Sequence, residues 1–124
     1  MTAGGGTLDA NVVAELRRLA AESSNAAFVT RLVEIFFLHA PDRMAAIREA
    51  VSRRDAAALE RTAHTLTSNC SMLGAMKMAD YCRALEAMGG RQAFDEAAAL
   101  LPLAEDEFAK VTTAVASLRE SPKD

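Results

Sequence analysis

Apolar residues recur at helical spacing along almost the whole chain, and this periodicity limits the fold more than any other feature. The residues between them are rich in alanine, leucine, glutamate and arginine, all strong helix formers. The central stretch shows the pattern most clearly, with apolar residues at intervals of three or four: Leu59, Ala63, Leu66, Cys70 and Leu73. The sequence therefore predicts an all-α protein.

Five helical stretches follow one another with short connections. Their predicted bounds are about 8–21, 25–51, 55–74, 76–88 and 94–118. Connections this short place sequential helices antiparallel. The helices from Asn25 onward are therefore predicted to form an up-and-down antiparallel four-helix bundle, with the first helix covering one end. A chain of 124 residues is about the size of one domain, so we assign 8–120 to the bundle and 1–7 and 121–124 to flexible tails.

Capping and breaking residues mark the ends of the predicted helices. Asn25 and Asp55 are suitable N-caps for the second and third helices. Gly74 lies where the third helix should end, and Gly89-Gly90 should close the fourth. Two prolines fall inside helical patterns. Pro41 predicts one long kinked helix or two nearly coaxial ones, and Pro102 predicts a kink in the fifth helix.

The charge and apolar content exclude several classes of protein. The net charge is −3, and no basic run is longer than an arginine pair such as Arg53-Arg54, so nucleic acid is not an expected partner. No apolar stretch approaches the ~20 residues that a membrane span needs. The glycine-rich start lacks the pattern of a signal peptide, so we expect a soluble, cytoplasmic protein.

Sulfur-containing residues are expected to belong to the core. Cys70 and Cys82 form no CxxC pair, and with two histidines as the other soft ligands no metal site is predicted. The methionines near them are expected to fill gaps between the third and fourth helices: Met72, Met76, Met78 and Met88.

His64 lies in the middle of the third helix on its outward face. At 100° per residue its side chain lies about 160° from Leu66, which belongs to the buried row. The neighbours one turn away are charged or carry short hydroxyl side chains: Glu60, Arg61, Thr67 and Ser68. Such a histidine is accessible to a partner and neutral near pH 7 with one nitrogen free to attack, but most surface histidines are inert. Position alone leaves the function open.

Three segments resemble the signature of histidine-phosphotransfer (HPt) domains. Residues 63–75, Ala-His-Thr-Leu-Thr-Ser-Asn-Cys-Ser-Met-Leu-Gly-Ala, place a leucine two residues after His64 and Gly-Ala ten and eleven residues after it, as in that family. Residues 36–44 are similar to the family's Phe-Leu, Ala-Pro and Arg segment on the preceding helix, and residues 79–86 resemble the following helix. The likeness covers about 29–118.

The resemblance implies a four-helix bundle with His64 as the phosphorylated residue and Nε2 as the attacking nitrogen. Family members relay phosphoryl groups between receiver-domain aspartates in two-component signalling, so the expected partners are a receiver domain, a hybrid histidine kinase, or both. The receiver is expected to supply the acidic pocket and the magnesium ion. The resemblance thus implies a monomeric phosphocarrier rather than an enzyme, without a cofactor of its own. At Gly74, glycine is expected to permit a close approach.

Two positions depart from the family pattern. Lysine usually stands three residues after the histidine, where this chain has Thr67, and glycine usually follows, where it has Ser68. Thr67 offers a hydroxyl but no charge. The Ser68 hydroxyl is predicted to bond the His64 carbonyl or to reach the ring. Arg61 is a candidate for the missing positive charge, and Ser71 completes the predicted rim of the phosphoryl site.

A binding-only adaptor, which docks on a receiver or kinase without accepting phosphate, is the alternative. The apolar pair Phe37-Leu38 suits docking, although packing against the first helix is an equal possibility for Phe37. Arg43 and Thr65 complete the predicted docking surface, with Arg43 and Arg61 attracting the receiver's acidic pocket.

An enzyme with its own pocket has little support in the sequence, since no phosphate-binding loop or nucleophile elbow is present. The acidic run 105–107 is interpreted as a solvated face. His39 is predicted to be a partly buried residue at a helix end.

Overall fold

The computed structural model describes residues 7–22 and 26–119, and all regular secondary structure in these ranges is α-helical. Five helices follow in order: α1 (Ala10–Ala21), α2 (Ala26–Arg53), α3 (Ala56–Met72), α4 (Met76–Gly90) and α5 (Phe94–Arg119). The four long helices form the predicted antiparallel bundle, and α1 is the additional covering helix. The predicted all-α fold is therefore confirmed. The predicted cap at Asn25 and nearly all of the two predicted tails lie outside the described residues.

Helix α2 is continuous through Pro41, and α5 is continuous through Pro102. Of the two alternatives that Pro41 left open, the structure therefore has a single helix. Pro41 is exposed, so its ring faces solvent while the buried row Phe36, Ala40, Met44 and Ile47 continues past it. An apolar stripe that remains unbroken on the buried side offsets the loss of one backbone hydrogen bond at a proline.

Asp55 and Gly74 delimit α3 as predicted. The Asp55 carboxylate accepts a hydrogen bond from the Ala58 backbone N–H at 3.1 Å. At the other end, the Ala75 N–H bonds the Cys70 carbonyl at 2.9 Å, and the Gly74 N–H bonds the Ser71 carbonyl at 3.0 Å. This paired pattern requires a left-handed residue, and Gly74 supplies it with φ +83°.

Helix α4 ends at Gly90, the second residue of the glycine pair that was predicted to close it. Neither glycine of the pair takes the left-handed conformation, which falls instead on Gln92, two residues beyond the last residue of the helix, with φ 56°. Gly89 is buried, and a Cβ added to it would lie 3.2 Å from Leu59 Cγ. Glycine at this position therefore permits close packing of α3 against α4 rather than a turn.

Helix α1 covers the end of the bundle where α3 stops, as predicted. Asp9 caps α1 by accepting hydrogen bonds from the Asn11 and Val12 N–H groups, at 2.8 and 3.2 Å. Its own N–H donates to the Gly74 carbonyl at 2.6 Å. Val13 of α1 also lines an open apolar cavity together with Ala114 and Leu118 of α5. The covering helix thus contacts both the end of α3 and the end of α5.

The core contains both cysteines but not all of the methionines. Cys70 and Cys82 are fully buried free thiols, as expected of core residues. Met78 is fully buried as well, whereas Met72 and Met76 are 51% and 38% exposed. The predicted gap-filling role is therefore wrong for Met72 and Met76, because their side chains lie on the outward sides of α3 and α4, while neighbouring Leu73, Ala75 and Met78 are buried.

Two further sequence interpretations are corrected by the register of the helices. Glu107 is buried, 4% exposed, with its Oε2 atom lacking a hydrogen-bond partner among the described residues, so the acidic run is not a uniformly solvated face. It lies three residues after buried Ala104 and four before buried Val111, on the core stripe. His39 is exposed in the middle of α2, because the helix does not end at Pro41.

We predict that Gly74→Ala lowers the free energy of unfolding by about 1–2 kcal/mol, because an alanine there is held in the left-handed region. Its Cβ would also meet Val12 Cβ at 3.0 Å. Gly90→Ala is the control, since Gly90 is an exposed helical residue whose added Cβ meets only the flexible end of Glu60. Urea denaturation of both variants measures the difference, and equal stabilities would contradict the assigned role of Gly74.

We also predict that both thiols are unreactive in the folded protein. A hydrogen bond with Cys70, together with burial, raises the pKa of the Cys82 thiol, which therefore stays protonated at neutral pH. A coloured disulfide reagent should detect no thiol in the native protein and two thiols per chain after unfolding in guanidinium. Rapid labelling of the native protein would show that α3 and α4 separate readily.

Candidate functional site

His64 lies in the middle of α3 with its side chain 73% exposed. The residue before it, Ala63, is fully buried, as is Leu66 two residues after it. The helix therefore turns its apolar side to the core and presents the imidazole to solvent on a rigid backbone. The predicted exposure of His64 is confirmed.

Glu86 of α4 is the side chain that contacts the imidazole. Its Oε2 atom lies 3.2 Å from His64 Nδ1, and the Glu86 side chain is 35% exposed. Since an ionised carboxylate only accepts hydrogen bonds, this pairing requires the proton to be on Nδ1. Sequence reasoning missed the contact. The contact depends on the register between α3 and α4, in which buried Gly89 lies against Leu59 and Glu86 lies beside His64. No pattern within a single helix indicates that register.

The two threonines that flank His64 use their hydroxyls within their own helix. Thr67 Oγ1 donates to the Ala63 carbonyl at 2.8 Å, and Thr65 Oγ1 donates to the Arg61 carbonyl at 3.1 Å. Both are bonds from a side chain to the carbonyl four residues earlier, a common arrangement for threonine inside a helix. Neither hydroxyl therefore faces the imidazole.

The two serines predicted near the histidine differ in exposure. Ser68 is exposed, and within the described chain its hydroxyl bonds neither the His64 carbonyl nor the ring, so the predicted hydrogen bond is wrong. At Ser71 the Oγ atom is buried and has no hydrogen-bond partner among the described residues. Of the pair, only Ser68 presents its hydroxyl to the surface around His64.

The two arginines of the predicted site are held differently. Arg61 is exposed and forms no ion pair with the described residues, so its guanidinium is available one turn before His64. Arg43 of α2 is half-buried, and its Nη1 donates to the Asn69 Oδ1 atom of α3 at 3.0 Å. Arg43 is thus fixed against α3 five residues beyond His64.

The predicted docking pair is divided between two environments. Phe37 packs partly buried on the core, edge-on to Phe36 with 5.6 Å between ring centroids. Leu38 is 67% exposed. Because α2 and α3 are antiparallel and Arg43 pairs with Asn69, Leu38 lies ten residues, or roughly 15 Å along the bundle, from the level of His64. The pair does not adjoin the imidazole.

A second apolar area lies between α2 and α3, toward the C-terminal end of α3. Met72, two helical turns after His64 on α3, borders a shallow cleft between α2 and α3 that is also lined by Leu32 and Ile35. Sequence reasoning missed this area, because Ile35 and Met72 continue the apolar pattern and are indistinguishable from core residues by spacing alone.

Within the described ranges, no group of three histidine, cysteine or acidic side chains is arranged to hold a metal ion. No described helix has the length and apolar content to cross a membrane.

Comparison with known proteins agrees with this architecture. The family model of the Hpt domain matches residues 31–121. In structure the chain is similar to the crystal structure of histidine-containing phosphotransfer protein B (HptB) from Pseudomonas aeruginosa PAO1, with a TM-score of 0.81 and 30% sequence identity. The alignment covers 94% of this chain and 97% of that one. No curated protein sequence matches the chain significantly.

The family match includes His64 and all of α3, α4 and the helical register that exposes the imidazole. The structural likeness extends over nearly the full length of both chains, so it also includes the covering helix α1. The chain therefore belongs to the Hpt domain family, the histidine-phosphotransfer modules of two-component phosphorelays.

Proposed function

We propose that His64 is the phosphoacceptor through which this protein carries phosphoryl groups to and from the aspartate of a receiver domain. The observation that supports it most directly is the exposed imidazole in the middle of α3, at the position where the family signature has its histidine. The other histidine, His39, is exposed on α2 and does not stand at the position of the family's histidine.

The transfer is a substitution at phosphorus. The Nε2 lone pair attacks the phosphorus of an aspartyl phosphate, the bond from phosphorus to the aspartate oxygen breaks, and the carboxylate leaves with the electron pair. The reverse reaction returns the group to an aspartate. On this proposal the metal ion and its acidic pocket belong to the receiver. The protein is a phosphocarrier, and the receiver assists the chemistry.

The surface around His64 is suited to transient docking. Arg61 and Ser68 border the imidazole, Thr65 and Arg43 lie toward α2, and Met72 adds apolar area on the same side of α3. A relay protein must release each partner, so a contact of modest area is expected. The partner is a receiver domain, alone or in a hybrid histidine kinase, and this protein acts as a monomer in the cytoplasm.

An adaptor that docks without accepting phosphate is a second candidate, favoured by Thr67. This position carries no charge, and its hydroxyl is bound to the Ala63 carbonyl. The family's usual lysine would place a cation beside the phosphoryl group. The two candidates differ in one measurable property, the covalent adduct on His64.

We expect this protein to gain the mass of one phosphoryl group from a phosphorylated receiver, and the adduct to be labile in acid. His64→Gln should abolish the gain. The matched control is His39→Gln, which removes the other exposed histidine and should leave the adduct unchanged. Intact-mass spectrometry makes the measurement. Binding to a receiver without any adduct on the unmodified protein would instead support the adaptor.

We expect Thr67→Lys to raise the rate of phosphoryl transfer by about fivefold, the effect of one charge about 4 Å away in water. Ala99→Lys, an exposed site on α5, adds the same net charge far from His64 and should change the rate little. Rapid-quench kinetics at low and high salt would measure both variants. An unchanged or lower rate for Thr67→Lys would show that the receiver already supplies the required cation.

A further inference from the structure

We propose that the open apolar cavity between α1 and α5 binds a small aliphatic carboxylate, with the hydrocarbon chain inside the cavity and the carboxylate on Arg17. The cavity has a volume of about 410 Å³, and Arg17 is the one charged residue among those that line it. This volume falls within the roughly 300–1,000 Å³ of typical ligand sites. The proposal goes beyond the phosphocarrier function and does not depend on His64.

Helix α1 has two rows of residues at helical spacing, and only one of them is used for packing. Leu16 is buried and Leu19 is partly buried against the core, so this row holds α1 on the bundle, where α1 packs against α2. The second row, Val13, Ala14 and Arg17, lies on the neighbouring side of the helix and lines the cavity. Ala14 and Arg17 are exposed, so this side of α1 is accessible to a ligand.

Helix α5 forms the opposite wall of the cavity. Val111 and Val115 are fully buried in the core and fix the helix in place. Ala114 and Leu118, one turn apart, are partly buried and line the cavity. The space exists because Ala114 faces small residues of α1 such as Ala14, and longer side chains at these positions would fill it. Both walls therefore belong to helices that the core holds, and the space between them does not depend on a loop.

Arg17 has no counter-ion among the described residues. The acidic side chains of α1 and its cap are already engaged. Asp9 accepts the hydrogen bonds that cap the helix, and Glu15 and Glu22 both pair with Arg18. The guanidinium of Arg17 is therefore available to an anion from outside the chain.

The part of α5 near the cavity adds to this positive character. Residues 109–119 contain no acidic residue, and Lys110, one turn before Ala114, is exposed. The surroundings of the cavity thus favour an anion, although the whole chain has a net charge of −3. Apolar walls require an apolar body, and arginine pairs with a carboxylate through two parallel hydrogen bonds. These two requirements together describe an aliphatic carboxylate.

The chain and the charge contribute differently to binding. Each methylene group that is fully buried raises the affinity by about fourfold. An ion pair as exposed as one on Arg17 raises it by about fivefold at most. The hydrocarbon chain therefore supplies most of the affinity, while Arg17 selects an anion over a cation and orients the ligand.

The test is a titration followed by ¹H–¹⁵N correlation spectra of the backbone amides, with dodecanoate below its micelle concentration as the probe. The signals of Val13, Ala14 and Ala114 should move. Octanoate should bind more weakly than dodecanoate by at least about tenfold, because it buries fewer methylene groups. Dodecyltrimethylammonium, with the same chain and the opposite charge, should bind at least about fivefold more weakly than dodecanoate.

Three variants assign the binding to the cavity. Ala114→Leu fills the space and should weaken dodecanoate binding by more than about tenfold. Arg17→Gln should weaken it by about threefold to fivefold. The matched control is Arg53→Gln, which removes the same charge from the end of α2 that leads into α3, away from α1, and should change the affinity by less than about twofold.

Several outcomes would overturn the proposal. Equal affinities for the unmodified protein and Ala114→Leu, or equal shifts around the exposed residues Leu38 and Leu103, would show non-specific adsorption. Cavity signals that move on dilution without ligand would assign the cavity to a second copy of the chain. Binding that appears only when Glu120→Gln and Asp124→Asn are combined would assign it to the chain's own segment 120–124.

The same titration separates this inference from the proposed function. His64→Gln should bind dodecanoate with unchanged affinity, because His64 lies ten residues, or roughly 15 Å along α3, from the end that α1 covers. A protein that accepts phosphate but does not bind dodecanoate would overturn this inference alone. Binding of dodecanoate by a protein that accepts no phosphate would leave the inference intact and contradict the function of His64.

Discussion

The close approach of α3 to α4 is the constraint on which the rest of this site depends. Small residues and thiols line the contact, with Ala63 and Cys70 on one helix facing Ala79 and Cys82 on the other, all fully buried. Gly89 permits this approach because it has no side chain: a Cβ added to it would lie only 3.2 Å from Leu59 Cγ. Larger side chains would separate the helices, and a glutamate on α4 would then no longer reach a histidine on α3.

The end of α3 depends on a different glycine. The left-handed Gly74 closes the helix, and its carbonyl accepts the N–H of Asp9, the residue that caps α1. One residue therefore joins the end of α3, the helix that bears His64, to the start of the covering helix. Since Val12 occupies the space beside it, the covering helix also protects this end of the core from solvent.

The site combines a rigid backbone with surface side chains of which some form no hydrogen bond or ion pair with the described residues. The hydroxyls of Thr65 and Thr67 donate hydrogen bonds to carbonyls of α3, and Glu86 contacts His64. Arg61 and Ser68, by contrast, form no ion pair or side-chain hydrogen bond with the described residues. A carrier that meets more than one partner benefits from this arrangement. The imidazole of His64 is held by its contact with Glu86, while the polar groups that border it are available to a partner.

Much of this could be predicted from the sequence, because it depends on local pattern. Helical spacing determined the all-α class, the cap at Asp55 and the glycine at 74 delimited α3, and the position of His64 relative to Leu66 determined its exposure. The family signature around His64 indicated its chemistry. Each of these properties follows from residues within a few turns of one another.

Properties that involve two helices could not be predicted in this way. Three properties depend on the register between helices distant in sequence. They are the role of Gly89 in the contact of α4 with α3, the exposure of Met72 and Glu107, and the contact of a carboxylate with His64. Register follows from how side chains of different size fill the common core, which no single helix encodes. The sequence by itself therefore determined that His64 is exposed at the position of the family's histidine, and the tertiary structure alone decided that Glu86 contacts it.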